Sequence, residues 1–220
     1  MSTKILKSIK GKVVRLTRLD SCGQAVAGTC STVVSECFVK VTVSGEFEAG
    51  DEYTQKSAWG TLCINDKDPD VLKWVNVQID FAELNADALD ILTNADPVIS
   101  GGNTIGSTWS AIPNDTAFAL EVWTKRTGVD CVGANPDWGY FVVPFVKNGK
   151  LDGDIAIENA ALTVSIMGNG FAAPYTWDDG PYTPKPWVGV YPTGAVWGQI
   201  VTSVQPPADT NGCVPLSPVS

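Results

Sequence analysis

Asp66, Asp68 and Asp70, in NDKDPD at 65–70, stand at the i, i+2, i+4 spacing with which a calcium loop presents carboxylates to a hard cation. Counted from Asn65 or from Asp66, the stretch lacks the sixth-position glycine and the closing glutamate that supplies two oxygens. It reads as a solvated turn. GNGFAA at 168–173 matches the G-x-G-x-x-A phosphate fingerprint behind a strand, but Pro174 and then WDDGPY follow where a helix would have to open. Without a helix N-terminus a phosphate has no seat. Asp152 and Asp154, in DGD, are paired in spacing alone, and a turn between strands accounts for them. The chain contains no histidine, so a Ser-His-Asp or Cys-His nucleophile and any His-ligated metal are excluded. Carboxylate-only or lysine chemistry is left in principle, with no motif to carry it. The reading is a non-enzymatic chain with no catalytic, cofactor or metal residues.

Cys22, Cys30, Cys37, Cys63, Cys131 and Cys213 include no C-x₂-C pair, which argues against a structural zinc site. MSTKILKSIKGK never reaches the apolar run of a secretory signal, and no stretch approaches the roughly 18 apolar residues of a membrane span. The expectation is a chain folded in a reducing cytoplasm, with its cysteines free and often buried. Charge is uneven. Lys4, Lys7, Lys10, Lys12, Arg15 and Arg18 precede the first acid, giving +6 over residues 1–18, while the remaining nine cations and all 24 acids leave −15 over residues 19–220. A net charge of −9 makes free nucleic acid and anionic lipid poor partners. The basic end reads either as a solvated arm or as a contact with the acidic flank of another copy.

The chain is written in strands. FVKVTVSGEFE (38–48) alternates, with Val39, Val41, Val43 and Phe47 on one side and Lys40, Thr42, Ser44, Glu46 and Glu48 on the other. KWVNVQIDF (73–81) sets Val75, Val77, Ile79 and Phe81 against Asn76, Gln78 and Asp80. Such two-sidedness belongs to antiparallel sheet with one wet face. Further strands are expected at 12–19, 116–125, 139–147, 153–159, 161–168 and 195–204, and a hairpin or extended loop at 55–64. Pro144 demands an edge or a bulge, and Asn148-Gly149 a turn with positive φ. Asn85 caps one short helix, with Asp87 and Asp90 near its positive end, an apolar stripe at Ala88, Leu89, Ile91 and Leu92, and a staple from Leu84 to Leu89. Residues 171–194 read as an ordered surface excursion rich in proline, glycine and aromatics. The whole is one domain over 1–220, with an N-terminal arm at 1–10 and a C-terminal tail at 206–220.

Eight tryptophans raise the possibility of a sugar-stacking platform. Trp74 and Trp123 sit inside strands and suit a core or subunit interface, whereas Trp138, Trp177, Trp187 and Trp197 are freer.

In order along the chain, GKVVRLTRLDSCG, CINDKDPDVLK, NADALDILTNADPV, FALEVWT, GYFVVPFVKNGKL, IENAALTVSIMG, GPY and VTSVQPPA resemble the major tail tube proteins of long-tailed, non-contractile phages, particularly those of actinobacteria. The resemblance covers most of the chain and contains no catalytic signature. It implies a mainly β chain, a β-sandwich with one flanking helix, whose strands join a multi-subunit inner barrel. Rings, usually of six subunits, stack into a tube that conducts genomic DNA during ejection without binding it specifically. The implied partners are further copies of the chain, a tape-measure protein and a tail terminator, with no membrane. The implied location is the virion, after synthesis in the host cytoplasm. On this reading Lys40, Thr42, Ser44, Glu46, Glu48, Asn76, Gln78 and Asp80 are candidates for the bore. Lys4, Lys7, Lys10, Glu52, Tyr53 and Trp59 are candidates for contacts between subunits. A carbohydrate-binding β-sandwich and another virion shell or decoration protein are the alternatives.

Overall fold

The computed structural model describes residues 8–83, 85–109, 116–126, 138–153, 163–172 and 194–216. It is mainly β and antiparallel, with one short helix. The strands are β1 (Ser8–Leu19), β2 (Gly28–Ser35), β3 (Phe38–Glu48), β4 (Glu52–Lys56), β5 (Leu62–Lys67), β6 (Val71–Phe81), β7 (Asp96–Ser100), β8 (Asn103–Thr108), β9 (Ala117–Arg126), β10 (Trp138–Leu151), β11 (Val164–Gly170), β12 (Gly198–Thr202) and β13 (Cys213–Leu216), with α1 (Ala86–Thr93) between β6 and β7. One sheet runs β13-β2-β1-β9-β10-β11-β6-β3, with β12 also paired to β10, while β4-β5 and β7-β8 are separate two-stranded hairpins.

Position in the sheet explains the sequence of each strand. β6 alternates because one of its faces is buried and the other is only half-covered. β9, at the centre, is buried from Ala117 to Thr124 on both faces, so it reads as a nearly continuous apolar run. One face of the sheet packs Leu16, Val77, Ile79, Phe118, Leu120, Val146 and Ile166 under the helix residues Leu89, Ile91 and Leu92. The other face, around β1, β9 and β10, packs Val13, Trp123, Tyr140, Val142 and Phe145. The helix is capped as expected: Asn85 Oδ1 accepts the Asp87 N–H at 2.8 Å, and Asn94 ends it in the left-handed region at φ 56°. Arg18 on β1 pairs with Asp90, whose carboxyl is nonetheless raised above 3.8 by desolvation.

Pro144 lies where β10 changes neighbours. Residues 138–142 pair with β12 and residues 146–151 with β11, and the ladder to β9 shifts between Val143 and Val146. A residue without an N–H is tolerated where the ladder is interrupted in any case, so the bulge expected there is present, in an interior strand. Asn148-Gly149 does not make the expected hairpin turn. Asn148 does have φ 58°, but β10 continues through it to Leu151, and the pair is a bulge facing β11. The glycine is required by contact with the helix: a Cβ on Gly149 would fall 1.7 Å from the Leu92 carbonyl oxygen. Gly149→Ala is expected to push α1 off the sheet and cost about 1–3 kcal/mol in chemical denaturation, the usual penalty of overpacking.

Three further expectations are corrected. The C-terminal tail drawn from residue 206 instead contributes β13, hydrogen-bonded to β2. The cysteines are neither all free nor generally buried. Cys30 and Cys213 form a disulfide across 183 residues, and Cys22, Cys37 and Cys63 are exposed thiols. The N-terminal arm drawn over 1–10 overlaps β1, to which Ser8–Lys10 already belong; residues 1–7 fall outside the described residues. The strand expected at 153–159, the excursion at 171–194 and the Leu84 staple fall wholly or mainly outside the described residues. Among the described residues no helix is long and apolar enough to cross a membrane.

Candidate functional site

The eight bore candidates occupy β3 and β6, and the register places their polar side chains in rungs. Lys40 stands opposite Asp80, Thr42 opposite Gln78, Ser44 opposite Asn76 and Glu46 opposite Trp74. Beyond a shift between Glu46 and Phe47, Glu48 pairs with Val71 and its carboxylate meets Lys73 at 3.3 Å. β11 extends the same face with Ser165 opposite Asp80 and Asn169 opposite Asn76. Hydrogen bonds tie the rungs: Ser165 Oγ donates to Asp80 Oδ1 at 2.6 Å, Gln78 Nε2 to the same oxygen at 3.2 Å, and Asn169 Nδ2 to Asn76 Oδ1 at 3.0 Å. Trp74 lies on this wet side as well, donating to Asn76 and packing against Phe171. The candidate residues thus form one polar surface bearing one cation, Lys40, and three anions, Glu46, Glu48 and Asp80.

The opposite side of β3 departs from expectation. Val41 is half-buried, but Val39 and Phe47 are each 60 % exposed and Val43 is exposed too. With Leu72, Phe141 and Trp197 they line an open apolar groove of about 660 Å³. The outer edge of β3 also has no strand partner among the described residues. Period-2 alternation was legible; what covers the apolar side was not.

The region expected to mediate contacts between subunits is a hairpin. Every residue of β4 and β5 is exposed. In its register Tyr53 faces Asp66 and Gln55 faces Ile64, which puts Tyr53 and Ile64 on one face, while beyond a shift between Gln55 and Lys56 Leu62 stands opposite Lys56. Leu62 is half-exposed, and Trp59 at the tip is 96 % exposed. The tip turn is closed by Ser57 N–H to the Thr61 carbonyl at 2.7 Å and Gly60 N–H to the Ser57 carbonyl at 2.9 Å. At its base the stretch with calcium-like spacing works as a clamp. Asp68 N–H donates to the Asp51 carbonyl, Gly50 N–H donates to Asp70 Oδ1, and Lys67 pairs with Asp70 at 3.0 Å. Gly50 admits no side chain, since a Cβ would fall 2.0 Å from the Asp68 carbonyl oxygen. The Lys67 ammonium and the Gly50 N–H hold the Asp70 carboxyl below 3.8. The clamp's contribution is therefore complete above that value and is lost as pH falls through the lowered one. In an NMR titration Asp70 should show a midpoint below 3.8, returning toward it in Lys67→Ala.

A second hairpin, β7-β8, exposes Val98, Ile99 and Ile105. Glu52 and Lys10 are exposed as contact candidates must be, and Lys4 and Lys7 fall outside the described residues. Of the tryptophans, Trp123 is buried as expected and Trp197 is half-exposed, while Trp138 packs on the outer apolar cluster; Trp177 and Trp187 fall outside the described residues.

Residue-type reasoning missed one buried polar constellation. Glu121 on β9 is 0 % exposed and sits opposite Arg15 of β1. Arg15 donates through Nε and one terminal nitrogen to the two carboxylate oxygens, both at 2.6 Å, and Tyr140 Oη donates to Oε1 at 2.6 Å. The guanidinium stacks over Trp123 at 4.9 Å. The signal was present as one acid inside the apolar run FALEVW, because a charge on a strand covered on both faces needs a partner. The acid and the guanidinium are closed off from solvent and paired with each other, so the site suits a structural role. No protein-family model matches the chain, and no curated protein does so either.

Proposed function

We propose that the chain is a structural subunit that joins copies of itself into stacked rings, forming a tube with a polar, net-negative bore that conducts DNA. The observation that carries this reading is the β4-β5 hairpin. A two-stranded hairpin alone is marginal in water, yet this one presents Tyr53, Leu62, Ile64 and Trp59 to solvent and is clamped at its base. Ordered apolar side chains without a cover suit a contact made in an assembly. The open edge and uncovered apolar side of β3 support the same reading, because sheets completed by neighbouring copies leave no edge exposed. Head-to-tail contacts that do not close generate filaments, and the resemblance to tail tube proteins supplies the hollow form: a β-sandwich whose strands join an inner barrel.

In this reading the polar face of β3 and β6 lines the bore. Each phosphate neutralised by a wall cation releases counterions and makes the site sticky. A wall with Glu46, Glu48 and Asp80 against Lys40 and the Lys73 that pairs with Glu48 stays net negative, and repels DNA within a Debye length of about 8–10 Å. Lys40 is set opposite Asp80 in the register, so its charge is locally offset.

Negative-stain microscopy of concentrated protein tests the assembly. Hollow tubes are expected; discrete monomers with glycan affinity would favour a carbohydrate-binding module, and binding to capsids a decoration protein. The bore is tested by Glu46→Lys/Glu48→Lys/Asp80→Lys. Tubes should still form, with DNA release slowed more than tenfold at low salt and partly restored by added salt. Unchanged release would remove this face from the lumen.

A further inference from the structure

Cys30 on β2, Cys213 at the start of β13 and Asp87 in the first turn of α1 converge on one point, with both sulfurs and a carboxylate oxygen within 4.8 Å of one another. The Cys213 N–H donates to Asp87 Oδ2 at 3.1 Å, which holds the carboxylate against the sulfur pair. All three residues are half-buried. We propose that the reduced form of this cluster is a binding site for one divalent zinc-class cation, held by two thiolates and a carboxylate.

The chemistry of the donors points to that class. Two thiolates select borderline-soft ions over calcium or magnesium, and a carboxylate completes a three-ligand set with a fourth position left for water. Thiolates bound to zinc at about 2.3 Å each lie about 3.8 Å apart in a tetrahedral site, inside the span the three donors already occupy. A carboxylate can keep the Cys213 N–H on one oxygen and ligate with the other, an arrangement that also orients the ligand. With the cysteines reduced, three acidic groups share a half-buried pocket, and a cation offsets the charge that accumulates when the thiols ionise.

The electrons and protons balance with a thiol reductant. The disulfide takes two electrons and two protons from a dithiol, which becomes a disulfide itself, and leaves two Cys thiols. The cation then displaces both thiol protons to solvent. In either state β13 is tied to β2 and to the start of α1. The clip stands independently of the tube reading.

The test uses the full chain, reduced with excess dithiol, desalted without oxygen and titrated with Co²⁺. One equivalent should give a thiolate-to-cobalt charge-transfer band that Zn²⁺ abolishes. The band should be absent from the disulfide form and from Cys30→Ser, and Asp87→Asn should weaken binding about tenfold or more. No band in the reduced chain, an equal band in Cys30→Ser, or undiminished affinity in Asp87→Asn would overturn the site. If Cys30→Ser fails to fold, the unmutated chain still decides, because a band in its oxidised form is equally fatal.

Discussion

Glu121→Ala is expected to lower the unfolding free energy by about 3–5 kcal/mol, the cost of breaking a buried pair by removing one partner. Arg15, only 11 % exposed, would be left charged between β2 and β9 with its two short carboxylate bonds gone, and Tyr140 Oη would lose its acceptor. For a chain of this size each kcal/mol shifts the melting temperature by about 2–4 °C, so a drop of roughly 6–20 °C is expected in calorimetry. The double variant Arg15→Met/Glu121→Leu removes both charges together and should recover most of the loss, because the desolvation of two ions disappears with their attraction. A single variant that loses less than about 1 kcal/mol would mean that the pair is solvated and the surrounding layer open.

The second large effect concerns association. Tyr53→Ser/Leu62→Ser/Ile64→Ser removes the exposed apolar side chains of β4 and β5 while touching only exposed positions, so the unfolding free energy of the monomer should change by no more than about 0.5 kcal/mol per substitution. Polymerisation should disappear: no tubes by microscopy and a single monomer mass by light scattering at concentrations where the unmodified chain sediments. Equal tubes from both proteins would show that this hairpin is not a contact.

What could be read in advance follows the range of the physics. The polar rungs of β3 and β6 were legible because side-chain direction has a period of two along any strand. The helix was legible because Asn85, Asp87 and the apolar stripe act within two turns. Arg15 and Glu121 lie 106 residues apart, and Cys30 and Cys213 lie 183 apart. Nothing local marks either pair as partners; only the order of strands brings them together. Asn148-Gly149 misled for the opposite reason. Its local signal, a positive φ, was right, but a bulge inside β10 satisfies the same backbone need as a hairpin turn. β13 was missed because four residues are too few to show alternation. The acidic stretch at 65–70 reads locally as a solvated turn, and its work as the clamp of a hairpin depended on Gly50 and Asp51, outside the window in which it was judged.

Because the bridge joins residue 30 to residue 213, most of the chain is a closed covalent loop. A protease that cuts once at Trp59 or at any other exposed position within it severs the backbone without releasing a fragment. Electrophoresis without reductant would then show one species of full mass, and only reductant would separate two. Only a second cut inside the same loop would release a piece, the segment between the two cuts.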